Sequence, residues 1–156
     1  MEKFLQLESQ SFLDYYDACT LEMRESLKIL FNKQVIEYLT FLIKDFESAS
    51  KRLYGKVVTL DSAFNVNTVA SIKLNIITEA LNDGWTPKEG GYIPVFSLEN
   101  NTFKFNTVKL INLNKLDKTN IMYGQPLLYR DLELAEYSGK QFISIWKDYY
   151  ENLWNK

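Results

Sequence analysis

The chain has 156 residues, of which 46% are hydrophobic, 24% charged and 15% aromatic, and 20 acidic residues stand against 18 basic ones. These values predict one globular domain over residues 1–156, because a chain of about 150 residues is long enough to bury a hydrophobic core. The chain has no histidine and a single cysteine, Cys19. Catalytic triads, most catalytic zinc sites and an intramolecular disulfide are thereby excluded.

The same features indicate a compartment. A lone cysteine suits a reducing environment, and no apolar run approaches the length of about 20 residues that a membrane-spanning helix needs. The opening residues, Met1–Gln6, lack the apolar run and the small-residue cleavage site of a signal peptide. We therefore expect a cytoplasmic protein that is neither secreted nor associated with a membrane.

Residues 11–54 contain no glycine or proline, and apolar residues recur there at spacings of three or four, which is the period of an amphipathic helix. This stripe comprises Leu27, Phe31, Val35, Tyr38, Leu42, Phe46, Ala49 and Leu53. Gly55 is a plausible stop signal. The pattern predicts a helical region over about residues 1–55 and leaves open whether it is one long helix or two helices that meet near residues 32–33.

A second helix is predicted from about Thr68 to Asp83, and its end carries the sharpest local signal in the chain. Gly84 can adopt the left-handed conformation that follows a helix, and Pro87 prevents the helix from continuing. Trp85, between them, is predicted to fold back on the last turn as a structural plug.

The apolar period then changes to two, which predicts strands at Tyr92–Ser97 and Thr102–Leu113 that form an antiparallel hairpin. The longer strand is expected to place four side chains on one face: Phe103, Phe105, Ile111 and Leu113. Pro94 cannot donate to a strand ladder, so the first strand is expected to be an edge. Residues 127–129 form a possible third strand.

The last predicted helix begins after Asp131, a candidate N-cap, and its apolar stripe runs to Leu153. Gly139 lies inside the helix, where glycine costs about 1 kcal/mol relative to alanine, so we expect it to permit the close approach of another element. The resulting fold class is α+β: N-terminal helical segments, a small antiparallel β-sheet of a hairpin or three strands, and a C-terminal helix.

Two stretches, Ile76–Pro87 and Glu133–Phe142, occur in this order and are separated by an aromatic, β-rich segment. Together they resemble a family of small uncharacterised proteins carried by prophages and other mobile elements of gut Bacteroides and their relatives. The likeness covers roughly residues 68–150. The family has no established enzymatic activity, so the resemblance implies a phage or mobile-element setting and little more.

The chain departs from that family at two places. Members typically have a Tyr-Tyr-Pro-Trp-Phe-like strand after the Gly-Trp turn, where this chain has Gly91–Phe96 and lacks the tryptophan. Members also tend to carry Leu-Cys-Phe-Lys-Ser before the last helix, where this chain has Leu127–Asp131. The missing cysteine means that the resemblance implies no thiol chemistry, and the helical region before residue 68 exceeds the family pattern.

Charge is unevenly distributed along the chain, because residues 101–130 carry five basic residues and one acidic residue. Basic residues interleaved with aromatic ones on a sheet are typical of surfaces that bind single-stranded nucleic acid. The candidate residues for such a surface are Lys104, Lys109, Lys115, Lys118, Arg130, Phe103 and Phe105. The alternative interpretation is a half-buried strand whose lysines protect a sheet edge from aggregation.

The chain also has ten Phe, ten Tyr and three Trp residues, which is more than the core of a domain of this size needs. Tyrosine and tryptophan are enriched at protein interfaces, and adjacent aromatic residues on a helix cannot all face one core. The candidate residues for a protein interface are Tyr15, Tyr16, Tyr149, Tyr150 and Trp154. The alternative is a core with ordinary exposed tyrosines.

No spacing of carboxylates indicates a metal or acid–base pair, and no Gly-rich phosphate loop is present. The leading hypothesis is therefore a non-enzymatic phage or mobile-element protein that binds a protein partner or itself, as an accessory, host-takeover or virion-associated factor. The alternative is a nucleic-acid-binding accessory protein that uses the basic hairpin. A metal-dependent enzyme that uses carboxylate ligands is a third hypothesis. We expect no metal and no small-molecule cofactor.

Overall fold

A computed structural model describes residue 12, residues 14–115 and residues 127–154, without the side chains of residues 115 and 152–154. The chain gathers into two compact units, residues 1–41 and residues 42–156. Each unit is described by itself below. That the whole chain behaves as a single domain stays a prediction.

The smaller unit is helical. Residues 14–18 form a helical turn, and the helices α1, Leu21–Leu30, and α2, Asn32–Leu42, follow. Thr20 caps α1, because its hydroxyl accepts a hydrogen bond of 3.3 Å from the Met23 N–H. The sequence left open one helix or two at this place, and the structure has a break at Phe31 between α1 and α2.

In the larger unit, α3 spans Phe46–Tyr54 and α4 spans Val66–Asn82. A capping box formed by Asp45 and Ser48 starts α3, and Gly55 ends it in the left-handed conformation with φ 71°. Sequence analysis missed that α3 is separate from α2, because the apolar period continues unchanged across the capping box.

The C-terminal part of the chain forms two helices, α5, Leu132–Gln141, and α6, Ile143–Trp154. The prediction of one closing helix was therefore wrong: α5 ends at Phe142, whose N–H still bonds to the Ser138 carbonyl oxygen over 3.0 Å. Both helices continue the same apolar period, so the pattern carries no sign of the break.

Between these helical parts lies a hairpin of two antiparallel strands, β1, Gly90–Glu99, and β2, Thr102–Asn112, followed by a short 3₁₀ turn at Leu113–Lys115. The turn residues Asn100 and Asn101 both have positive φ, 50° and 61°, as tight hairpin turns require. Helices together with a small antiparallel sheet confirm the α+β class.

A bulge changes which face the β2 side chains occupy. Phe96 pairs with Phe105 whereas Val95 pairs with Thr107, so Asn106 is the extra residue. Because the bulge shifts the alternation by one residue, Phe105 shares a face with Val108 and not with Ile111. The prediction that Ile111 and Leu113 share a face with Phe103 and Phe105 was wrong for this reason, and Leu113 lies beyond the strand.

On the other side of β1, the possible third strand is a single bridge. The N–H groups of Tyr92 and Tyr129 each donate to the other's carbonyl oxygen, over 2.8 and 2.7 Å. The backbone groups of Tyr92 therefore point away from β2. Because alternate residues of a strand direct their backbone groups the same way, the nitrogen of Pro94 also points away from β2. Its missing donor therefore removes no bond between β1 and β2, as an edge position allows.

The core of the larger unit lies where α4 packs on α3 and α6, and where α5 packs on the hairpin. Large side chains fill it: Leu74, Ile77, Leu81, Leu128, Tyr129, Leu134 and Trp146. No helix in the described part of the chain is long and apolar enough to span a membrane.

Candidate functional site

The hairpin separates the basic and aromatic residues of the predicted nucleic-acid surface. Phe103 is buried and stacks on Phe96 with ring centroids 4.8 Å apart. Phe105 makes an edge contact with the same Phe96 ring at 6.2 Å. Phe103 is thus enclosed and Phe105 is half-buried against Gly139 of α5, so neither ring lies fully open for a base to stack on it.

The lysines of β2 lie on the surface. Lys104 and Lys109 are exposed, and Lys104 pairs with Glu99 over 3.4 Å across the hairpin end. Arg130 is not beside them as a free cation, because its Nε contacts the Asp131 carboxylate over 2.7 Å. The Lys115 side chain and the whole of Lys118 lie outside the described residues.

Gly139 has the predicted structural role. A Cβ atom at this position would lie 2.5 Å from the Phe105 ring and 2.8 Å from the Cβ of Pro94. Real Cβ atoms do not approach other atoms so closely, so the glycine confirms the predicted close approach, here between α5 and the hairpin.

At the end of α4, Gly84 follows the prediction, whereas the contact that the structure gives for the Trp85 ring is with β1 and not with the last turn of the helix. Gly84 has φ 88°, and the Trp85 N–H donates to the Asn82 carbonyl oxygen over 3.1 Å, which turns the chain back after the helix. The half-buried indole lies 3.0 Å from the position that a Cβ at Gly91 would take. Trp85 thus connects the helix end to β1.

Asp131 occupies the N-cap position of α5, with extended backbone, but its side chain makes no capping hydrogen bond. Its carboxylate instead forms the ion pair with Arg130. The predicted N-cap position of Asp131 is therefore confirmed, but its side chain does not cap the helix, because a neighbouring guanidinium competes for the same oxygen atoms.

The C-terminal tyrosines of the predicted protein interface are largely committed to an internal aromatic cluster. Tyr150 stacks on Trp146 with centroids 6.0 Å apart and also contacts Phe96 at 6.0 Å. Burial, and then the neighbouring Tyr149, raise the pKa of Tyr150 to about 12. Tyr149 is half-buried against Trp146, and the Trp154 side chain lies outside the described residues.

The N-terminal tyrosines lie in opposite environments. Tyr16 is fully buried, with the Arg24 guanidinium 5.3 Å above its ring, whereas Tyr15 is 54% exposed. Of this pair, only Tyr15 is exposed to solvent.

A more exposed apolar surface occurs at the end of α1, and sequence analysis missed it. Ile29 and Leu30 are 82% and 72% exposed, and the next residue, Phe31, is 43% exposed. We call residues 29–31 the apolar patch. The signal was available, because three consecutive apolar residues at a helix end cannot all face one core.

Next to the apolar patch, α1 buries a charged side chain while it exposes apolar ones. The structure describes every residue of α1. The one buried residue among them is Lys28, of whose surface 2% is exposed. Its ammonium group pairs with the Glu25 carboxylate over 2.7 Å. A helix that buries a lysine and exposes an isoleucine and a leucine departs from the usual distribution of side chains in globular proteins.

A polar cluster fills the centre of the larger unit. The Tyr129 hydroxyl shares hydrogen bonds with Thr78, at 2.9 Å, and with Ser138, at 2.6 Å, and the Trp146 indole donates to Ser138 over 3.1 Å. Burial raises the pKa of Tyr129 to about 12, against the opposing effect of its two hydroxyl partners. The cluster joins α4, α5 and α6 to the Tyr129 bridge, and its atoms are enclosed by protein.

Among the residues that the structure describes, no three His, Cys, Asp or Glu side chains are grouped so that they could hold a metal ion. Comparison of the chain with protein-family models, with curated proteins and with solved structures finds no match in any of the three. Membership of the prophage family therefore stays a prediction from the two sequence motifs.

Proposed function

We propose that this protein acts by binding another protein, and that the apolar patch at residues 29–31 is the contact surface. The observation that supports this proposal is the exposure of Ile29 and Leu30 beside a buried lysine. Burying each of these side chains against a partner is worth roughly 1.5–3 kcal/mol, which is a large share of the affinity of a moderate complex. No catalytic step is part of the proposal.

The partner that such a patch suits is a protein with an apolar groove or an apolar helix face. A second copy of this chain is one candidate. A phage or mobile-element setting, with a role as an accessory, host-takeover or virion-associated factor, and a place in the host cytoplasm remain predictions from the resemblance.

Nucleic-acid binding has less support. Lys104 and Lys109 are exposed, but the two rings that would stack on bases are buried or half-buried and pack on Phe96. Without stacking, two lysines supply only a weak, salt-sensitive attraction to phosphate.

The test is site-specific photocrosslinking. A photoreactive amino acid at Ile29 is expected to give a discrete crosslinked product in cells of the host, whereas the same group at the exposed Ser26 of α1 gives none. The crosslinked protein is then purified and its affinity is measured by calorimetry. We expect Ile29→Gln combined with Leu30→Gln to weaken binding at least tenfold.

A second copy of this chain is one candidate partner, and sedimentation velocity of the purified chain tests for this self-association. The Ser26→Gln variant is the matched control and is expected to bind like the parent protein. Equal crosslinking at both positions, or unchanged affinity of the double variant, would show that the patch is not the contact surface.

A further inference from the structure

The outer edge of β2 offers a second and separate surface. The sheet has two strands in the order β1-β2, and the bridge at Tyr129 lies on the opposite side, next to β1. Within the described part of the chain, β2 therefore has a strand partner on one side only. Unpaired edges of this kind accept extended chains through backbone hydrogen bonds.

The register shows which backbone groups point outward. Tyr92 directs its N–H and carbonyl groups toward Tyr129, so its neighbours Gly91, Ile93 and Val95 direct theirs toward β2. Their partners are Ile111, Lys109 and Thr107. The backbone groups of the residues between these partners, Val108 and Leu110, consequently point away from β1.

The bulge limits the length of this edge. Asn106 interrupts the ladder, and the twist that a bulge adds separates the strand end at residues 102–105 from residues 107–112. The six residues 107–112 span about 20 Å at the usual rise of a strand. We call residues 107–112 the free edge.

The side chains of the free edge define the chemistry of a partner. Val108 lies on the same face as Pro94, its ladder partner, which contacts α5 at Gly139, and Leu110 follows on that face and is 63% exposed. Lys109 points to the opposite face, is exposed, and has no acidic partner among the described residues. By contrast, Lys104, the other exposed lysine of β2, pairs with Glu99.

We propose that the free edge of β2 binds an extended peptide segment that alternates apolar and acidic residues. The apolar residues lie beside Val108 and Leu110, and an acidic residue lies beside Lys109 on the other face. Cross-strand pairs of opposite charge favour this register, whereas a second copy of β2 would bring lysine-bearing strands together and has no acid to offer. The proposal concerns a surface of the larger unit and is independent of the apolar patch.

The experiment uses the full chain and a short synthetic peptide of alternating valine and glutamate with a fluorescent label. Fluorescence anisotropy is expected to show saturable binding. Amide hydrogen exchange, followed by NMR, is expected to slow at Val108 and Leu110 in the complex. A peptide of the same composition with valines and glutamates in separate blocks, and a peptide methylated at alternate backbone nitrogens, are expected to lose at least tenfold in affinity.

Two lysine variants provide a matched pair, because both residues are exposed on β2 and each substitution removes one charge. Lys109→Gln is expected to weaken binding about two- to fivefold, the range for one cross-strand ion pair. Lys104→Gln, on the other side of the bulge, leaves the affinity unchanged.

Several outcomes overturn the proposal: amides of Val108 and Leu110 that are already protected in the free protein, equal binding of the block peptide, or equal effects of the two lysine variants. Binding of single-stranded DNA without binding of the peptide also overturns it and assigns the lysines to phosphate. Absence of any binding overturns the proposal as well and assigns Lys109 and the bulge to protection of the edge against aggregation. None of these outcomes bears on the crosslinking test at residue 29.

Discussion

Gly139 of α5 lies directly against the ring of Phe105 on β2, so closely that a methyl group at the glycine would fall 2.5 Å from a ring carbon. This contact sets the distance between the C-terminal helical layer and the hairpin. It also explains why a residue with poor helix propensity occupies the middle of a helix.

Gly139→Ala is expected to destabilise the protein by about 1–2 kcal/mol. Overpacking costs typically 1–3 kcal/mol and outweighs the gain in helix propensity of about 1 kcal/mol. Urea denaturation measures the change. In a Phe105→Ala background the ring contacts are gone, whereas the close approach to the Pro94 Cβ atom remains. The same substitution should therefore cost less there, and equal costs in both backgrounds would contradict the ring contact as the main cause.

Tyr129→Phe is expected to cost about 1–3 kcal/mol near neutral pH, because the buried hydroxyls of Thr78 and Ser138 lose their common partner. Tyr54→Phe, at an exposed position, is the control and should change stability by less than about 0.5 kcal/mol.

The same variant has a predictable pH dependence. Burial raises the pKa of Tyr129 from 10.0 to about 12. Its stabilising contribution is therefore complete below the unfolded pKa and is lost as the pH rises through the folded value. The stability gap between the parent and Tyr129→Phe should narrow between about pH 10 and about pH 12, and a constant gap across alkaline denaturation curves would refute the raised pKa.

Asn82→Ala is expected to lower the free energy of unfolding by about 2–3 kcal/mol, because the buried Asn82 amide bonds to the backbone of both Leu128 and Arg130. Its side-chain nitrogen donates to the Leu128 carbonyl oxygen over 2.8 Å, and its oxygen accepts from the Arg130 N–H over 3.0 Å. Asn75→Ala is the matched control, because the exposed Asn75 amide donates to the Ser71 carbonyl oxygen one turn earlier in α4. Similar losses for the two variants in urea denaturation would argue against this clamp.

Asp45 links the stability of α3 to acid pH. Hydrogen bonds from the Ser48 backbone and then from its side chain hold the pKa of Asp45 below its ordinary value of 3.8. The contribution is present above the unfolded pKa and is lost as the pH falls through the lower folded value. Asp45→Ala should cost about 1 kcal/mol near neutral pH.

Asp45→Asn keeps a capping side chain but removes this titration. Thermal denaturation as a function of pH should therefore show a shallower loss of stability in acid for Asp45→Asn than for the parent protein. Parallel curves would place the acid-sensitive group elsewhere.

Local signals predicted the features that depend on one or two residues. Gly84 confirms the left-handed turn after α4, and Asn100 and Asn101 form the hairpin turn where the two predicted strands meet. Such positions are set by backbone conformations that few residue types adopt, so a short stretch of sequence is sufficient to identify them.

Local signals did not predict features in which a residue has more than one possible bonding or pairing partner. The bulge at Asn106 reassigns Ile111 to the other face, although the apolar alternation looks regular in the sequence. Likewise, Asp131 has the residue type of a cap, yet its carboxylate pairs with Arg130. In both cases the outcome depends on which of two locally acceptable arrangements the surrounding packing favours.

By itself, the sequence determined the α+β class, the absence of histidine chemistry and the glycine contact at residue 139, because composition, apolar period and single-residue propensities carry that information. Only the tertiary structure decided which aromatic residues are enclosed and which apolar residues are exposed. Phe103 and Tyr150 enter the cluster around Phe96, while Ile29 and Leu30 remain on the surface. Burial is a property of the packed chain as a whole. The absence of histidine therefore excludes several kinds of catalytic site, but it does not locate a binding surface.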